Sequence, residues 1–327
     1  MTTSLLNRRR MIIQSAGAAL ALAGCRRHSR RAGQSRVGLL YFAPEAGAEL
    51  CMKGLFDGLA QAGFTKDGNL EVLSSHAQGE IANIPMLVQN FVTQNVDLII
   101  TLTTPCLTAA CTTARNTHIA FTYCYDPVAA GAGKSSNDHL PNVTGVGSFP
   151  PVEATVDLIQ KLVPNVKSVG TVYNSSEANS VKVISVARDA FRRRGISLQE
   201  VTATNTNEVF QSAQVACHRN VQAMWVTGDN TALQSFDAIV KNTTDSKLPL
   251  FINDPEFTDR GALACVGIGW YSAGKAGGAL AARLLRGEDP ATIPFQEVAE
   301  QKLVLNHQVA SNLGFVFPPD VIASAKG

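Results

Sequence analysis

The sequence predicts an α/β protein with two lobes, each built on a mostly parallel sheet. Short apolar runs alternate with stretches of helical spacing, first between residues 37 and 123 and again between residues 168 and 252. Such an alternation is typical of parallel sheets covered by helices. One strand–helix unit at 263–286 is left over after the second series. This surplus unit indicates that the chain returns to the first lobe.

The first series supplies the elements of one lobe. Apolar runs predict buried strands at 37–42, 70–73, 96–101 and 119–123. Apolar residues three and four apart predict helices at 49–62 and 81–94. A third helix is expected to open at Pro105, because proline is favoured in the first turn of a helix.

The second series and the remaining segment follow the same pattern. Strands are predicted at 168–173, 197–201, 223–227, 248–252 and 263–268, and helices at 180–194, 208–218, 231–241 and 272–286. Linkers near 142–151, 266–270 and 297–306 would form a three-segment hinge. We therefore expect lobe 1 to hold 36–147 plus 267–300, and lobe 2 to hold 148–266 plus 301–327. Two doubly wound lobes on a hinge can close on a small molecule.

The N-terminal segment has the features of an export leader. Arg8, Arg9 and Arg10 precede an apolar run at 11–23, which has the length of a signal-peptide core and is too short to span a bilayer. The arginine cluster resembles a twin-arginine export signal, with Asn7 where Ser or Thr is usual. The alternative is a frayed N-terminal helix.

The apolar run ends in Leu22-Ala23-Gly24-Cys25, which matches the lipobox of bacterial lipoproteins. We expect residues 1–24 to be removed and Cys25 to carry a lipid. Residues 25–35 would then form a tether, and its arginines would lie near anionic lipid headgroups. The expected location is a bacterial membrane surface facing the periplasm or the cell exterior.

The charge of the body differs from that of the whole chain. Seven of the 28 basic residues lie at positions 8–31, which leaves 21 basic against 26 acidic residues and a net charge of about −5. A nucleic-acid surface would need a basic stripe. No nucleic-acid partner is therefore expected.

The spacing of cysteines and histidines predicts neither a metal site nor a cofactor. Besides Cys25, six cysteines lie in apolar periodic segments and are interpreted as small buried hydrophobic residues. Neither Cys-x-x-Cys nor His-x-x-x-His occurs. Gly-x-Ser-x-Gly and glycine-rich dinucleotide loops are also absent from the sequence, so no catalytic residues are assigned.

Polar and aromatic residues follow the predicted strands at the ends where open α/β sheets bind ligands. The candidates in the first series are Phe42, Thr103, Thr104, Tyr125 and Asp126. Those in the second series are Asn174, Ser175, Ser176, Asn179, Thr227, Gly228, Asp229, Asn230, Asn253 and Asp254. Trp270 lies beside a predicted hinge segment. Ordinary helix capping is the alternative for the Ser, Thr, Asp and Asn residues, and packing is the alternative for Trp270.

Eight stretches of the body also carry a family resemblance. They are VDLIITLTTP (96–105), YDPVAAG (125–131), NVTGVGS (142–148), LVPNVKSVGTVYNSSEANS (162–180), TGDNT (227–231), GALACVGIGWYSAGKAGG (261–278), LLRGEDPATIP (284–294) and KLVLN (302–306). The chain from about 37 to 321 resembles the ABC-transporter substrate-binding family that includes tryptophan- and tyrosine-type binding proteins. The resemblance implies a type I periplasmic-binding-protein fold without catalytic residues. It also implies delivery of a solute to a membrane permease and its ATPase.

Two segments depart from the family pattern. The first loop usually carries a short polar segment, whereas here it reads Phe42-Ala43-Pro44-Glu45-Ala46-Gly47. The usual Gly-Ile-Asp-Tyr stretch reads Gly267-Ile268-Gly269-Trp270, so an acidic residue is missing. An amino acid, in particular an aromatic one, is the ligand that the family implies, and these departures leave an organic acid or another amphiphile open.

The resulting expectation is a lipid-anchored solute-binding protein of an ABC importer. The alternative is a sensory binding protein that passes its signal to a membrane receptor. If the ligand is an α-amino acid, its carboxylate is expected at the helix that follows Asn174-Ser175-Ser176, because free N–H groups and the helix dipole favour an anion there. Asp229 or Asp126 would bind the ammonium group. The side chain would face Phe42, Tyr125 and Trp270.

We predict that Cys25→Ser releases the mature protein from membranes in a bacterial host, because the lipid is attached to this thiol. Membrane fractionation and fatty-acid labelling measure the effect, and Ser29→Ala in the same tether is the control. Unchanged membrane association of the Cys25→Ser protein, together with an unlabelled wild type, would contradict the assignment.

Overall fold

The computed structural model describes residues 33–298 and 300–325. Ser35–Gly327 form one compact unit. The predicted leader, Cys25 and most of the tether lie outside the described residues. Within the described ranges, no helix is both long and apolar enough to cross a membrane.

In the described part of the chain, the first sheet has six strands, and all of its neighbouring pairs are parallel. The strands are β1 (Ser35–Tyr41), β2 (Leu70–His76), β3 (Leu98–Leu102), β4 (His118–Cys124), β5 (Val143–Gly147) and β11 (Gln296–Glu297), numbered along the chain. Their order across the sheet is β11-β5-β4-β3-β1-β2. Every residue of β3 is buried, as expected for a parallel strand covered on both faces.

The second sheet has six strands among the described residues and repeats this order. The strands are β6 (Ser168–Tyr173), β7 (Ser197–Thr202), β8 (Ala223–Val226), β9 (Leu250–Ile252), β10 (Ala264–Ile268) and β12 (Gln301–Leu305). Their order is β12-β10-β9-β8-β6-β7. Only the β10–β12 pair is antiparallel among the pairs described. The predicted fold class, two doubly wound α/β lobes, is confirmed.

Helices connect the strands. They are α1 (Ala46–Gln61), α2 (Ile84–Thr93), α3 (Thr104–Thr113), α4 (Val152–Leu162), α5 (Ala178–Arg193), α6 (Val209–Cys217), α7 (Asn230–Gln234), α8 (Phe236–Asp245), α9 (Trp270–Leu285), α10 (His307–Leu313) and α11 (Pro319–Ser324). Single 3₁₀ turns occupy Ile81–Asn83, Thr206–Glu208, Pro255–Arg260 and Pro290–Thr292. Several helices start at capping residues, as where Glu45 accepts hydrogen bonds from the backbone of Gly47 and Ala48.

The structure differs from the sequence prediction in two segments. The segment 142–151, predicted as a linker, contains β5, and α4 follows directly at Val152. The two glycines of β5 interrupt the apolar pattern that predicts a strand. Gly145 is required because a Cβ there would lie 2.3 Å from the Phe121 carbonyl oxygen. The predicted helix 231–241 is two helices, α7 and α8, which are separated by Ser235.

Within the described residues, the chain passes between the sheets three times. It passes from β5 to α4, from β10 to α9, and from β11 to β12. The predicted boundary between residues 266 and 267 falls inside β10, whose last residue is Ile268. The second passage is therefore nearly confined to Gly269, since α9 begins at Trp270.

Helix α9 packs closely on α1, and glycines make this possible. A Cβ on Gly274 would lie 1.9 Å from the Cys51 carbonyl oxygen, and one on Gly278 would lie 2.1 Å from that of Leu55. Helix α1 contributes Gly54 and Gly58 to the same crossing, where an added Cβ would lie 2.0 and 2.4 Å from carbonyl oxygens of α9. The helix that follows the second passage is thereby attached to the first lobe.

We predict that Gly274→Ala lowers the free energy of unfolding by about 1–3 kcal/mol, the usual cost of overpacking. Alanine is otherwise the better helix former by about 1 kcal/mol. Helix propensity alone would therefore predict that the substitution raises the free energy of unfolding. Urea unfolding measures the change. Lys53→Ala, at an exposed position of α1, is the control. A Gly274→Ala protein that is more stable than the wild type would contradict the close contact.

Candidate functional site

A cavity lies between the lobes, at the carboxyl ends of the strands. Residues after β1, β3 and β4 line one wall, and residues after β8 and β9 line the other. The space is about 480 Å³ and includes the open mouth. The lining residues are Phe42, Ala43, Glu45, Thr103, Thr104, Tyr123, Tyr125, Asn179, Gly228, Asn230, Leu233, Gln234, Asp254 and Trp270.

Two carboxylates from opposite lobes meet at one tyrosine hydroxyl in this cavity. Tyr123 Oη lies 2.8 Å from Glu45 Oε1 and 3.2 Å from Asp254 Oδ2. A phenol has one proton to donate, so it cannot satisfy both carboxylates. One of the two carboxylates therefore needs a proton, or a positively charged partner, from another source.

Burial raises the pKa of both acids. Loss of water raises the pKa of Asp254 to about 7, and the negative charge of Glu45 adds to this shift. Burial also raises the pKa of Glu45, against hydrogen bonds from Tyr123, Ala48 and Gly47 that lower it. The pKa of the Tyr123 phenol lies well above its ordinary value, chiefly through burial and then through the charges of Asp254 and Glu45. Tyr123 therefore stays protonated and acts as a donor.

Aromatic rings form the wall beside this acid pair. The Trp270 ring centroid lies 4.2 Å from that of Tyr123, with the planes tilted by 59°. It lies 6.4 Å from that of Tyr125, with the planes 18° apart. Phe42 is buried on the same side of the cleft. The wall can therefore pack against an apolar or aromatic group.

Two residues on the cavity wall have unusual backbone conformations. Thr103 has φ 80° and Tyr123 has φ 54°, and Thr103 N donates to Tyr123 O over 3.1 Å. A positive φ is costly for a β-branched residue. The strand β4 also shifts its register between Phe121 and Cys124. Strain of this kind is concentrated at binding sites, and here it turns Tyr123 toward the acids.

Several buried polar atoms on the wall have no hydrogen-bond partner among the described residues. They are Thr103 Oγ1, Tyr125 Oη, Asn179 Oδ1 and Trp270 Nε1. The residues that carry them are at most 6% exposed. The Trp270 N–H lies near enough to Asp254 to lower its pKa, without reaching hydrogen-bond geometry. An unpaired buried polar group costs about 1–3 kcal/mol, so a ligand that pairs with these atoms would be stabilised.

Asp229, which the sequence offered as an ammonium ligand, is used inside lobe 2. Its carboxylate accepts hydrogen bonds from Asn174 N at 2.7 Å, Ser180 Oγ at 2.6 Å and Ala232 N at 2.7 Å. Burial, and then the nearby Glu177 charge, raise its pKa to about 7. Asp229 thus caps a helix, which was the alternative to ligand binding, and it is not among the residues that line the cavity.

Glu177 occupies the region where the sequence placed the ligand carboxylate. It immediately precedes α5 and is buried. Its oxygens accept hydrogen bonds from the backbone and side chains of Asn230 and Thr231 at 2.6–3.0 Å. A second carboxylate here would meet the negative charge of Glu177. The structure therefore disfavours the predicted carboxylate position after Asn174-Ser175-Ser176.

The other predicted residues divide into two groups. The structure brings together in the cavity Phe42, Thr104, Tyr125, Asn179, Gly228, Asn230, Asp254 and Trp270, together with Thr103. It places elsewhere Asp126, Asn174, Ser175, Ser176, Thr227 and Asn253. Ser175 and Ser176 line a separate groove between the lobes. The amide of Asn253 is used within lobe 2, where it bonds Trp225, Thr155 and the carbonyl of Val266.

Five lining residues were missed by the candidates from the sequence: Ala43, Glu45, Tyr123, Leu233 and Gln234. Glu45 was detectable as the cap of α1, but the helix was predicted to begin at residue 49. Tyr123 lies inside β4, and its positive φ leaves no trace in the sequence. Leu233 and Gln234 belong to α7, which the sequence merged with α8.

Among the described residues, no group of three or more His, Cys, Asp or Glu side chains could hold a metal ion. The six cysteines in this part of the chain are free and buried.

The family model for ABC transporter substrate-binding proteins matches residues 36–327. The chain belongs to this family. Its members bind solutes and are not enzymes, so the expectation of a non-enzymatic protein is confirmed. The fold is that of type I periplasmic binding proteins, as the resemblance implied.

Relatives with known ligands or conformations cover most of this substrate-binding protein. The tyrosine-binding protein of Clostridioides difficile (strain R20291) is 26% identical over 280 residues, which span 86% of this chain and 81% of that protein. The crystal structure of an ABC domain in complex with L-Trp from Streptococcus pneumonia has a TM-score of 0.86 at 28% identity, and covers 89% of this chain and 98% of that chain. The ligand-free, open structure of a substrate-binding protein with adhesive properties from Clostridium difficile has a TM-score of 0.68 at 26% identity, and covers 88% of this chain and 97% of that chain.

The two segments that depart from the family pattern contact each other in this substrate-binding protein. A Cβ on Gly47 would lie 2.6 Å from Tyr123 Oη and 3.1 Å from the Trp270 ring. The small residue in the first loop therefore makes room for the large residue at 270. At the position of the missing acid, Gly269 packs against the carboxylate of Glu300.

Contacts across the cleft show that the lobes are closed. Tyr123 donates to Asp254 in the opposite lobe, and the Lys182 ammonium lies 3.8 Å from the Asp126 carboxylate. Tyr125 Oη lies so close to Gly228 that a Cβ there would be 1.9 Å away. The TM-score against the ligand-free, open relative is the lower of the two reported above.

We predict that Gly228→Ala prevents full closure, because the added methyl group would collide with the Tyr125 hydroxyl. For a ligand identified by screening, the radius of gyration should decrease on binding to the wild type and stay unchanged for the variant. Solution scattering measures this. Ser175→Ala, outside the cavity, is the control and should close like the wild type. Normal closure of the Gly228→Ala protein would rule out the contact as a constraint.

Proposed function

We propose that this chain is the extracytoplasmic solute-binding lipoprotein of an ABC importer, and that it binds an amino acid with an aromatic side chain between its lobes. The observation that carries the proposal is the composition of the cavity. It combines an aromatic wall, an unbalanced acid pair and buried polar atoms without partners. Such a cavity complements a solute with an apolar body and a charged polar end.

The relatives support the aromatic amino acid. One curated relative is a tyrosine-binding protein, and one solved relative is in complex with L-Trp. Both cover most of this chain at 26–28% identity. The ring wall of Phe42, Tyr125 and Trp270 provides packing for an aromatic side chain.

The leader supports the location and the anchor. The cationic cluster, the short apolar run and the Leu22-Ala23-Gly24-Cys25 box occur in the order that export and lipid attachment require. An anchored receptor of this kind captures the solute outside the cytoplasm and passes it to the permease, while the ATPase drives uptake.

We predict that L-tryptophan or L-tyrosine raises the melting temperature of the purified body, residues 33–327. A ligand at 100 times its dissociation constant stabilises the protein by about 2.7 kcal/mol. The measurement is a thermal-shift screen of the amino acids followed by calorimetry. L-lysine and L-glutamate are suitable controls, because neither places an aromatic ring against the wall. Absence of any shift with all aromatic amino acids would refute the proposed ligand class.

Uptake measurements test the importer role. Deletion of the gene should reduce accumulation of the radiolabelled ligand, and the wild-type chain should restore it. Normal uptake in the deletion strain, with binding intact in vitro, would instead favour a sensory protein that signals to a membrane receptor.

A further inference from the structure

We propose that the ligand's ammonium group is bound between Glu45 and Asp254 beside the Tyr123 hydroxyl, and that its carboxylate is bound at the N-terminal end of α3 beside Thr103. This orientation rests on the proposed function, because it assumes an α-amino acid in the cavity. It assigns the ammonium group to the hydroxyl end of Tyr123 and the carboxylate to the start of α3.

The acid pair is the first part of the argument. Glu45 and Asp254 face the same hydroxyl from opposite lobes, at 2.8 and 3.2 Å. Tyr123 can give its proton to only one of them. A group with several N–H donors and a positive charge would satisfy both, and an ammonium group has three such donors.

The charge of the remaining lining residues also favours a cationic group in the ligand. Among the described residues that line it, none is Lys, Arg or His. The two acids therefore have no cationic partner on the cavity wall. The ammonium group of Lys182, which joins the lobes across the cleft, lies beside Asp126, outside the cavity. A cation supplied by the ligand completes the site.

The end of α3 is the second part of the argument. Helix α3 has ten residues, and no side chain caps its N-terminus. Its first turn offers the N–H groups of Thr104 and Cys106, since Pro105 has none, and these donors and the helix dipole favour an anion. Thr103 Oγ1, on the cavity wall and in a residue 5% exposed, has no hydrogen-bond partner among the described residues. It lies near the Cys106 thiol without forming a hydrogen bond of normal geometry. A ligand carboxylate would accept from both kinds of donor.

The two subsites lie in the same cavity. Thr103 N donates to the backbone carbonyl of Tyr123 over 3.1 Å, and the hydroxyl of the same tyrosine meets the two acids. An α-amino acid carries its ammonium and carboxylate on the same carbon atom, so a ligand bound in this cavity would present one charged group to each subsite. The side chain would then lie along Trp270 and Tyr125.

Two other helix ends near the cleft are occupied. The N–H groups at the start of α7 bind Glu177 and Asp229. The start of α1 is capped by Glu45 itself. The starts of α5 and α9 also lack a side-chain cap, but the start of α3 is the one that follows a buried hydroxyl, Thr103 Oγ1, without a partner on the cavity wall.

Binding of a cation to the acid pair must depend on pH. Burial and the mutual repulsion of the acids raise the pKa of Asp254 to about 7 and also raise that of Glu45. The cation prefers the ionised pair, so affinity is greatest above about pH 7 and decreases as pH falls below it. The groups that face the pair from the surrounding elements are Glu49 of α1, Tyr123 of β4, Tyr125, Trp270 of α9 and Cys265 of β10.

Calorimetry with matched variants tests the ammonium subsite. The probe is the better bound of L-tryptophan and L-tyrosine. Glu45→Gln and Asp254→Asn should each weaken binding roughly ten- to a hundredfold, since each removes one charged hydrogen bond. Asp67→Asn, at an exposed position outside the cavity, is the control and should bind like the wild type. Thermal unfolding verifies that the variants are folded.

The pH profile separates a charge effect from a loss of shape. Wild-type affinity should decrease between pH 7.5 and 5.5. In Glu45→Gln the decrease should occur at lower pH, because removal of the Glu45 charge lowers the pKa of Asp254. A wild-type affinity that does not change over this range would overturn the assignment of the acid pair.

Ligand analogues test the two ends separately. The amine without a carboxylate (tryptamine or tyramine) should be sensitive to Glu45→Gln and insensitive to Thr103→Ala. The acid without an amine (the corresponding arylpropionate) should show the opposite pattern and should bind Asp254→Asn better than the wild type. Thr103→Ala should weaken binding of the amino acid roughly tenfold, whereas Thr103→Ser keeps the hydroxyl and should preserve it.

The outcomes distinguish this orientation from the proposed function. If the wild type binds the amino acid and both acid variants bind equally well, the orientation is wrong and the function stands. If Thr103→Ala binds normally and the amine binds as tightly as the amino acid, the carboxylate subsite is wrong. If the wild type binds neither amino acids nor their analogues, the proposed function and the orientation both fail.

Discussion

The contact between α1 and α9 is the constraint on which the cleft depends. Helix α9 returns from the second sheet and begins with Trp270, while α1 begins directly after Glu45. Close crossing at Gly54, Gly58, Gly274 and Gly278 fixes the starts of both helices relative to each other. The Trp270 indole and the Glu45 carboxylate are therefore held on one wall of the cavity by glycines that do not line it.

The sequence predicted most of the fold because burial on both faces leaves uninterrupted apolar runs. The strand β3 and the helix α5 were found close to their observed bounds. The strand β5 was missed because Gly145 and Gly147 weaken its apolar pattern, although both are required by close neighbours. The break between α7 and α8 was missed because Ser235 is compatible with helix. In these places tertiary contacts, which are absent from local patterns, decide the structure.

The site was predicted less completely, for a different physical reason. The rule on strand ends located Asp254, and the position beside a predicted hinge segment located Trp270, but the rule could not rank Asp254 above Asp229. That ranking depends on which helix N–H groups are already occupied, and the N–H of Ala232 and the hydroxyl of Ser180 bind Asp229. Tyr123 reaches the acids because it has a positive φ in a strand whose register shifts. The spacing of residues in the sequence predicts neither feature.

The contacts that cross the cleft have a kinetic consequence. Within the described chain, Tyr123 with Asp254, Tyr125 against Gly228, and Asp126 with Lys182 all join opposite lobes. The walls of the cavity come from both lobes, so a solute cannot leave until these contacts separate. Its residence time is then governed by the rate of lobe opening more than by any single bond to the solute. A membrane partner that pulls the lobes apart would release the cargo without competing for its binding groups.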